Sequence, residues 1–88
     1  MIVGKIVGSV ISTRKNENLV GSKFMIVEPV SVMSQTGAQL VAVDTIGAGI
    51  GELVLVSMGT AARLACDNHT MPVDAAIVGI VDDDCNKF

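Results

Sequence analysis

The sequence predicts an all-β protein, a small sandwich or barrel of five strands with one short helix between the last two. Three observations lead to this prediction. The chain has only 88 residues, its apolar segments are short and dominated by Val, Ile and Ala, and glycine or polar turn residues separate them. Segments of this kind are typical of strands in sandwiches and barrels. We expect a single domain that spans residues 1–88.

The first predicted strand is the longest and covers residues 2 to about 13. Gly4 and Gly8 share one of its faces, and glycine inside a strand permits sharp coiling or a close approach of another backbone. Two such positions suit a strand that bends around a tight barrel. A polar loop follows and ends at Gly21.

The remaining elements follow from turn residues and from helix propensity. Pro29 cannot donate to a β-ladder, so it ends the second strand. Thr60 is an acceptable N-cap for a short helix rich in Ala, Leu and Arg. We expect a turn at residues 34–37, a helix at 61–66, a loop at 67–72, and strands at 23–28, 39–44, 52–58 and 75–81.

The composition indicates that the protein associates with copies of itself. Half of the residues are hydrophobic and 17% are charged, whereas an average domain carries about 25% charged residues. A chain of this length buries only about 60–65% of the surface that its unfolded form exposes. Because large exposed apolar patches are rare on soluble monomers, we expect subunit contacts to cover part of this surface. An unusually apolar monomer is the alternative.

Charge and aromatic content disfavour nucleic acid as a partner. The net charge is −3, and the six Lys and Arg residues occur singly except for Arg14 and Lys15. Phosphate binding normally needs clustered basic residues, and single-strand binding needs aromatic rings. No apolar run approaches the roughly 20 residues of a membrane span, and no signal-peptide pattern follows Met1. We therefore expect a cytoplasmic protein with reduced cysteines and no membrane partner.

The glycine-rich residues 47–51 invite comparison with a phosphate-binding loop. Such loops need a helix directly after the glycines, whose amides face the phosphate. Here Glu52 begins a predicted strand, and its carboxylate would repel phosphate. We expect instead a tight connection between two strands, at which another backbone approaches closely.

Cys66 and His69 have the spacing of half a structural zinc site. Such sites usually combine two ligand pairs, and Cys85 is the only further thiol. A Cys–His nucleophile would need an orienting group and an oxyanion hole, which neighbours on one loop are badly placed to provide. We expect no metal, no cofactor and no catalytic residues. A small metal-dependent enzyme and acid–base work by single carboxylates remain alternatives.

Several segments together resemble one known family. The segments are VGSVISTRK (residues 7–15), LVGSK (19–23), DTIGAGIGELVLV (44–56), GTAAR (59–63) and PVDAAIVGIVD (72–82). In this order and spacing they are similar to the EutN/CcmL family of bacterial microcompartment vertex proteins. The resemblance covers nearly the whole chain.

The resemblance implies a five-stranded, OB-like barrel that forms a homopentamer without enzymatic activity. Such pentamers cap the vertices of polyhedral shells in the bacterial cytoplasm, beside hexameric shell proteins of another fold. The sequence ends soon after Asp82, whereas carboxysome relatives often carry a longer C-terminal tail. The resemblance therefore favours a catabolic compartment. The alternative function is a small OB-like module that binds a nucleotide or another small ligand.

The glycine-rich segment and the charged residues near it are the candidates for a subunit interface or a central pore. Glycines permit close packing against the fivefold axis or a neighbouring subunit. Arg63 could pair with Asp74 or Asp44 across the ring, and the alternative is an ordinary intrachain or solvated arginine. The expected residues are Asp44, Gly47, Ala48, Gly49, Gly51, Glu52, Arg63 and Asp74.

Overall fold

The computed structural model describes residues 1–12, 15–30, 38–66 and 71–82. The expected turn at 34–37, most of the loop at 67–72 and the last six residues lie outside this range. The described elements are β1 (Ile2–Val10), a single 3-10 turn (Glu17–Leu19), β2 (Lys23–Pro29), β3 (Leu40–Asp44), β4 (Leu53–Met58), α1 (Thr60–Ala65) and β5 (Ala75–Ile80).

The five strands close into a barrel in the order β1-β2-β3-β5-β4. All neighbours are antiparallel except β3 and β5, which are parallel and meet only at Val43–Ala76 and Asp44–Ile77. This topology confirms the expected five-stranded, OB-like barrel with a short helix between its last two strands. No helix in the described part of the chain is long and apolar enough to cross a bilayer.

β1 curves around the barrel and pairs with two different strands. Residues Ile2 to Lys5 pair with β4, whereas Gly4 to Val10 pair with β2. A register shift between Ile6 and Gly8 leaves one extra residue, so a β-bulge at Val7 bends the strand and increases its twist. β1 ends about three residues before the expected position because its ladder with β2 ends at Val10.

The two glycines of β1 have different surroundings. A Cβ added at Gly4 would lie 2.5 Å from Val27 Cγ1 and 2.9 Å from the Glu28 carbonyl oxygen, whereas at Gly8 the nearest atom is Ile26 Cδ1 at 3.5 Å. The close backbone approach expected of strand glycines therefore occurs at Gly4 and not at Gly8.

Aliphatic side chains from all five strands fill the barrel. Ile6 of β1, Val27 of β2, Ala42 of β3, Val54 of β4 and Ile77 of β5 are fully buried. Side chains of this size pack in a narrow barrel without an aromatic residue at its centre. In β1, Ile6 is buried in the barrel, but Val10 is exposed because the bulge changes the phase of the strand.

A second apolar cluster lies outside the barrel wall. The six-residue helix α1 covers it with one face, since Ala62 is the helix's buried residue. Half-buried side chains, including Phe24 and Val73, pack around it. The buried members of the cluster are Val43, Ala62, Met71 and Ala76.

The N-terminus of α1 differs from the prediction. The N-cap is Gly59, with φ 65° and ψ −141°, and no side chain caps the helix. Thr60 Oγ1 instead accepts a hydrogen bond from Arg63 Nη2 at 3.2 Å. The choice of Thr60 as N-cap is therefore wrong, because a backbone conformation open to glycine starts the helix one residue earlier.

Candidate functional site

Residues 45–52, which we call the end loop, connect β3 to β4 across one end of the barrel. Ala48 is 1% exposed and packs into the core. The Gly51 N–H donates to the Ile6 carbonyl at 2.8 Å, and the Glu52 carbonyl accepts from the Ile6 N–H at 3.0 Å. The end loop is thus anchored in the core and against β1.

The Asp44 carboxylate holds the first half of the end loop. Its Oδ1 accepts hydrogen bonds from three consecutive backbone N–H groups, those of Ile46, Gly47 and Ala48, at 3.0, 3.1 and 3.2 Å. Short polar side chains at turns often bond to the backbone a few residues further on. Asp44 therefore has a local structural role within the subunit.

The Glu52 carboxylate holds the second half. Its Oε1 accepts from the Gly49 N–H at 2.6 Å. Four consecutive N–H groups, those of residues 46–49, are thus bonded to carboxylates of the same chain. These are the groups that a phosphate loop would present to its ligand. The geometry therefore argues against a phosphate-binding role for the end loop.

Backbone conformation explains two of the loop glycines. Gly47 has φ 80° and Gly51 has φ 93°, values that favour glycine over other residues. An added Cβ would meet nothing within 4 Å at either position. A close approach within the subunit is therefore not the reason for these glycines, and a close approach to a neighbouring subunit stays a prediction.

Arg63 connects α1 to the segment before β5. Its Nη1 donates to the Val73 carbonyl at 3.4 Å and its Nη2 to Thr60 Oγ1 at 3.2 Å. The neighbouring Asp74 is exposed. These two hydrogen bonds of Arg63 are intrachain, and pairing with Asp74 or Asp44 of another subunit stays a prediction.

The expected site residues thus fall into two groups. Asp44, residues 47–49, Gly51 and Glu52 lie together on or beside the end loop, whereas Arg63 and Asp74 lie beside α1. The roles assigned to both groups, at a subunit interface or a central pore, stay predictions.

Cys66 follows α1 and is half-buried. Burial raises the pKa of its thiol, which disfavours the nucleophilic thiolate. His69 and Cys85 lie outside the described residues. In the part that the structure describes, no three or more His, Cys, Asp and Glu side chains are grouped to hold a metal ion. Cys66 therefore has the properties of a packing residue.

One apolar patch, which we call the β1 edge patch, consists of Val7 and Ile50, whose neighbours Ile6 and Gly51 are joined by a backbone hydrogen bond. Val7 is 40% exposed and Ile50 is 66% exposed, whereas Val10 pairs with Phe24 and lies with Ile11 toward β2. Along this edge of β1, β4 pairs only as far as Lys5, and the end loop takes over at Ile6. Beyond Ile6 we find no strand of the described residues on this edge. The patch cannot be deduced from alternation, because the bulge at Val7 interrupts it.

A second apolar surface, which we call the β3 groove, lies on the other side of the barrel. It is a cavity of about 210 Å³ between β2, β3 and the segment before β5. Val41 is 50% exposed there, beside a length of β3 that β5 does not pair. Sequence reasoning missed this groove because it joins residues far apart in the chain. Its lining includes Leu19, Phe24, Val41, Val43, Pro72 and Val73, with Asp74 at one side.

Comparison with known proteins identifies the family of this barrel. A family model described as "Ethanolamine utilisation protein EutN/carboxysome" matches residues 1–82. The chain belongs to the EutN/CcmL family.

The relatives are named as shell vertex proteins. The chain is 46% identical to the bacterial microcompartment shell vertex protein GrpN of Rhodospirillum rubrum, with 93% of each chain covered. It is 42% identical to the shell vertex protein PduN of Salmonella typhimurium, with 93% of this chain and 96% of PduN covered. These relatives are structural proteins of the shell.

Solved structures show the same fold. The GrpN structure, described as a pentameric microcompartment shell protein, matches with a TM-score of 0.78 over 93% of both chains. A pentameric shell protein named MSM0273, from the RMM microcompartment, matches with a TM-score of 0.85 at 32% identity, covering 100% of this chain and 98% of the other.

Proposed function

We propose that this protein forms a homopentamer that caps the vertices of a bacterial microcompartment shell. The observation that carries the proposal is the similarity to a pentameric shell protein at 46% identity over 93% of both chains. The relatives support this function and not the alternative of a small-ligand module. The protein would act in the shell, within the bacterial cytoplasm.

The surface of the subunit supports assembly into a ring. Large apolar side chains, such as Ile11, Ile50 and Val41, are exposed on a small barrel whose core is already filled. Burial of apolar surface contributes about 25 cal/mol per Å², so contacts between subunits would be favourable. A head-to-tail contact that closes on itself gives a ring.

The function of such a ring is geometric. Hexameric shell proteins, which we propose as its neighbours, tile a flat sheet, and a flat sheet cannot enclose a volume. A pentamer at a vertex supplies the curvature that closes the shell. This role needs complementary surfaces and no reacting group, so we propose that the protein has no catalytic activity of its own.

The oligomeric state tests the first part of the proposal. We expect native mass spectrometry and light scattering of the purified protein to give a mass of five chains. A protein that stays a single chain at high concentration would contradict the proposal.

Shell closure tests the second part. Hexameric shell proteins of the same organism should form closed polyhedra in electron micrographs when this protein is coexpressed, and open sheets or tubes when it is omitted. Closed particles of equal number and shape in both samples would exclude a vertex role. Genes for shell hexamers and for an aldehyde dehydrogenase near this gene would support a catabolic compartment, which stays a prediction.

A further inference from the structure

We infer that the β1 edge patch of one subunit docks in the β3 groove of the next subunit, with Ile50 as its central contact. This inference rests on the proposed pentamer and specifies the two surfaces that join its subunits. The partner at each surface is a second copy of this chain.

A ring of five subunits needs two different surfaces on each subunit. A two-fold contact uses the same patch on both partners and stops at a dimer, whereas a ring requires that one patch meets an unlike patch on the next copy. The β1 edge patch and the β3 groove are unlike: Ile50 projects on the end loop with 66% exposure, and the groove is a concave cavity of about 210 Å³.

The two surfaces lie on different sides of the barrel. The end loop contacts β1 at Ile6, where β4 ends its pairing with β1. The groove is formed by β2, β3 and the segment before β5. In the order β1-β2-β3-β5-β4, the junction of β4 and β1 lies across the barrel from β3. One subunit can therefore contact two neighbours at once.

Both surfaces combine apolar side chains with an open strand edge. We find no described strand beside β1 beyond Ile6, and β5 pairs with β3 only at Val43 and Asp44. Exposed apolar strand edges favour association, and native proteins usually cover them. Contact between the two surfaces would cover both edges and remove their apolar side chains from water.

The end loop is already ordered in the isolated subunit. The carboxylates of Asp44 and Glu52 hold its backbone, and Ala48 anchors it in the core. A segment that is rigid before binding loses little conformational entropy on association. Ile50 is therefore presented in a fixed position, and Phe24 in the groove provides an aromatic surface of the kind that often dominates interface energy.

Two substitutions test the docking. Ile50→Asp places a charge on the projecting surface, and Val41→Asp places one in the groove. Both side chains are at least half exposed, so the isolated subunit is expected to fold. We expect each variant alone to be a single chain in native mass spectrometry at concentrations where the wild type is a pentamer. The concentration needed for assembly should rise by about tenfold or more.

Mixing the two variants gives the decisive result. The Ile50→Asp chain keeps an intact groove and the Val41→Asp chain keeps an intact projecting surface, so an equal mixture should form pairs with one chain of each. Leu64→Asp is the matched control, because Leu64 is 56% exposed on α1 and belongs to neither surface. It should leave the pentamer intact.

The outcomes separate this inference from the proposed function. Suppose that the wild type is a pentamer. If either variant is also a pentamer, or if the mixture of the two variants contains only single chains, these surfaces do not form the contact, and the proposed pentamer is unaffected. If the wild type is a single chain, the proposed function fails and the inference fails with it. Should circular dichroism show that either Asp variant is unfolded, Ile50→Ser and Val41→Ser replace it, with the same expected pairing in the mixture.

Discussion

At Gly4 the wall of the barrel leaves no room for a side chain. The Val27 methyl and the Glu28 carbonyl would both press on an added Cβ, and the carbonyl belongs to a paired strand that cannot move easily. Gly8 lies four residues further along the same strand, beyond the bulge, and has ordinary space around it. Close packing thus requires glycine at position 4, whereas the space at position 8 admits a small side chain.

Gly4→Ala should therefore destabilise the subunit much more than Gly8→Ala. We expect the first change to lower the free energy of unfolding by about 1–3 kcal/mol, because overpacking displaces the neighbouring strand. We expect the second to change it by less than about 1 kcal/mol in either direction. Urea unfolding of both variants measures the difference. Equal losses would show that the β1–β2 contact at Gly4 is looser than described.

Asp44 provides a second test at the residue scale. Asp44→Ala removes the acceptor of three backbone N–H groups and should lower the free energy of unfolding by about 1–3 kcal/mol. Asp44→Asn keeps an oxygen at the same position and should lose less. Hydrogen exchange of the amides of residues 46–48 should accelerate in the Ala variant first. Unchanged exchange there would contradict the proposed role of Asp44 in holding the end loop.

At the scale of elements, α1 is too short to be stable by itself, because isolated helices below about 12 residues are marginal in water. Gly59 is its N-cap and provides no side-chain hydrogen bond, and Ala62 is the residue that the helix buries. Arg63 ties it to the Val73 carbonyl. Packing on the barrel and this tie therefore hold the helix, and intrinsic propensity contributes less.

Arg63→Ala separates the intrachain role of Arg63 from a role across the ring. Loss of its two hydrogen bonds should lower the free energy of unfolding of the subunit by about 0.5–1.5 kcal/mol. Pairing with a neighbouring subunit would also reduce the pentamer fraction in native mass spectrometry, and Arg63→Lys would restore part of it. Unchanged pentamers together with lower subunit stability would leave Arg63 with the intrachain role alone.

For the whole molecule, the stability of the pentamer depends on apolar attraction and like-charge repulsion between its subunits. Each subunit carries a net charge of −3, so five subunits in a ring repel one another. The surfaces that we propose to join them are apolar, and added salt weakens the attraction between apolar surfaces very little. Assembly should therefore depend on ionic strength in a direction that reveals which force holds the ring.

We expect the pentamer to persist or to strengthen when the ionic strength rises from 0.01 to 0.15 M, where the Debye length falls from about 30 to about 8 Å. Screening reduces the repulsion and leaves apolar contacts intact. Light scattering across a dilution series at each salt concentration measures the effect. Dissociation at the higher salt concentration would instead indicate ion pairs as the main contact between subunits.

Much of the fold could be predicted from short-range patterns. The five strands, the late helix and their order appear in the sequence as short apolar segments between turn residues, and their observed ends differ from the predicted ones mostly by a single residue. The 3-10 turn at Glu17–Leu19 was not predicted, because one Asn16 side chain that accepts from the Asn18 N–H is a weak sequence signal.

The candidate site was less accessible to such reasoning. Asp44 precedes the end loop and Glu52 ends it, but no sequence pattern indicated that their carboxylates bond to the backbone of this loop. Ile50 and Val41, on which the proposed contact depends, were not singled out. Both belong to apolar segments in which every residue has a similar sequence signal, and only the folded barrel distinguishes a buried position from an exposed one.

Local patterns and family motifs were thus sufficient to indicate a five-stranded barrel of the EutN/CcmL family, because alternation, turns and helix propensity act between neighbouring residues. The folded chain alone decided where Val7 bulges, how β3 and β5 close the barrel, and which apolar side chains remain outside. Those features depend on contacts between residues far apart in the chain. Pairing register and barrel closure determine them, and no short segment of sequence specifies either.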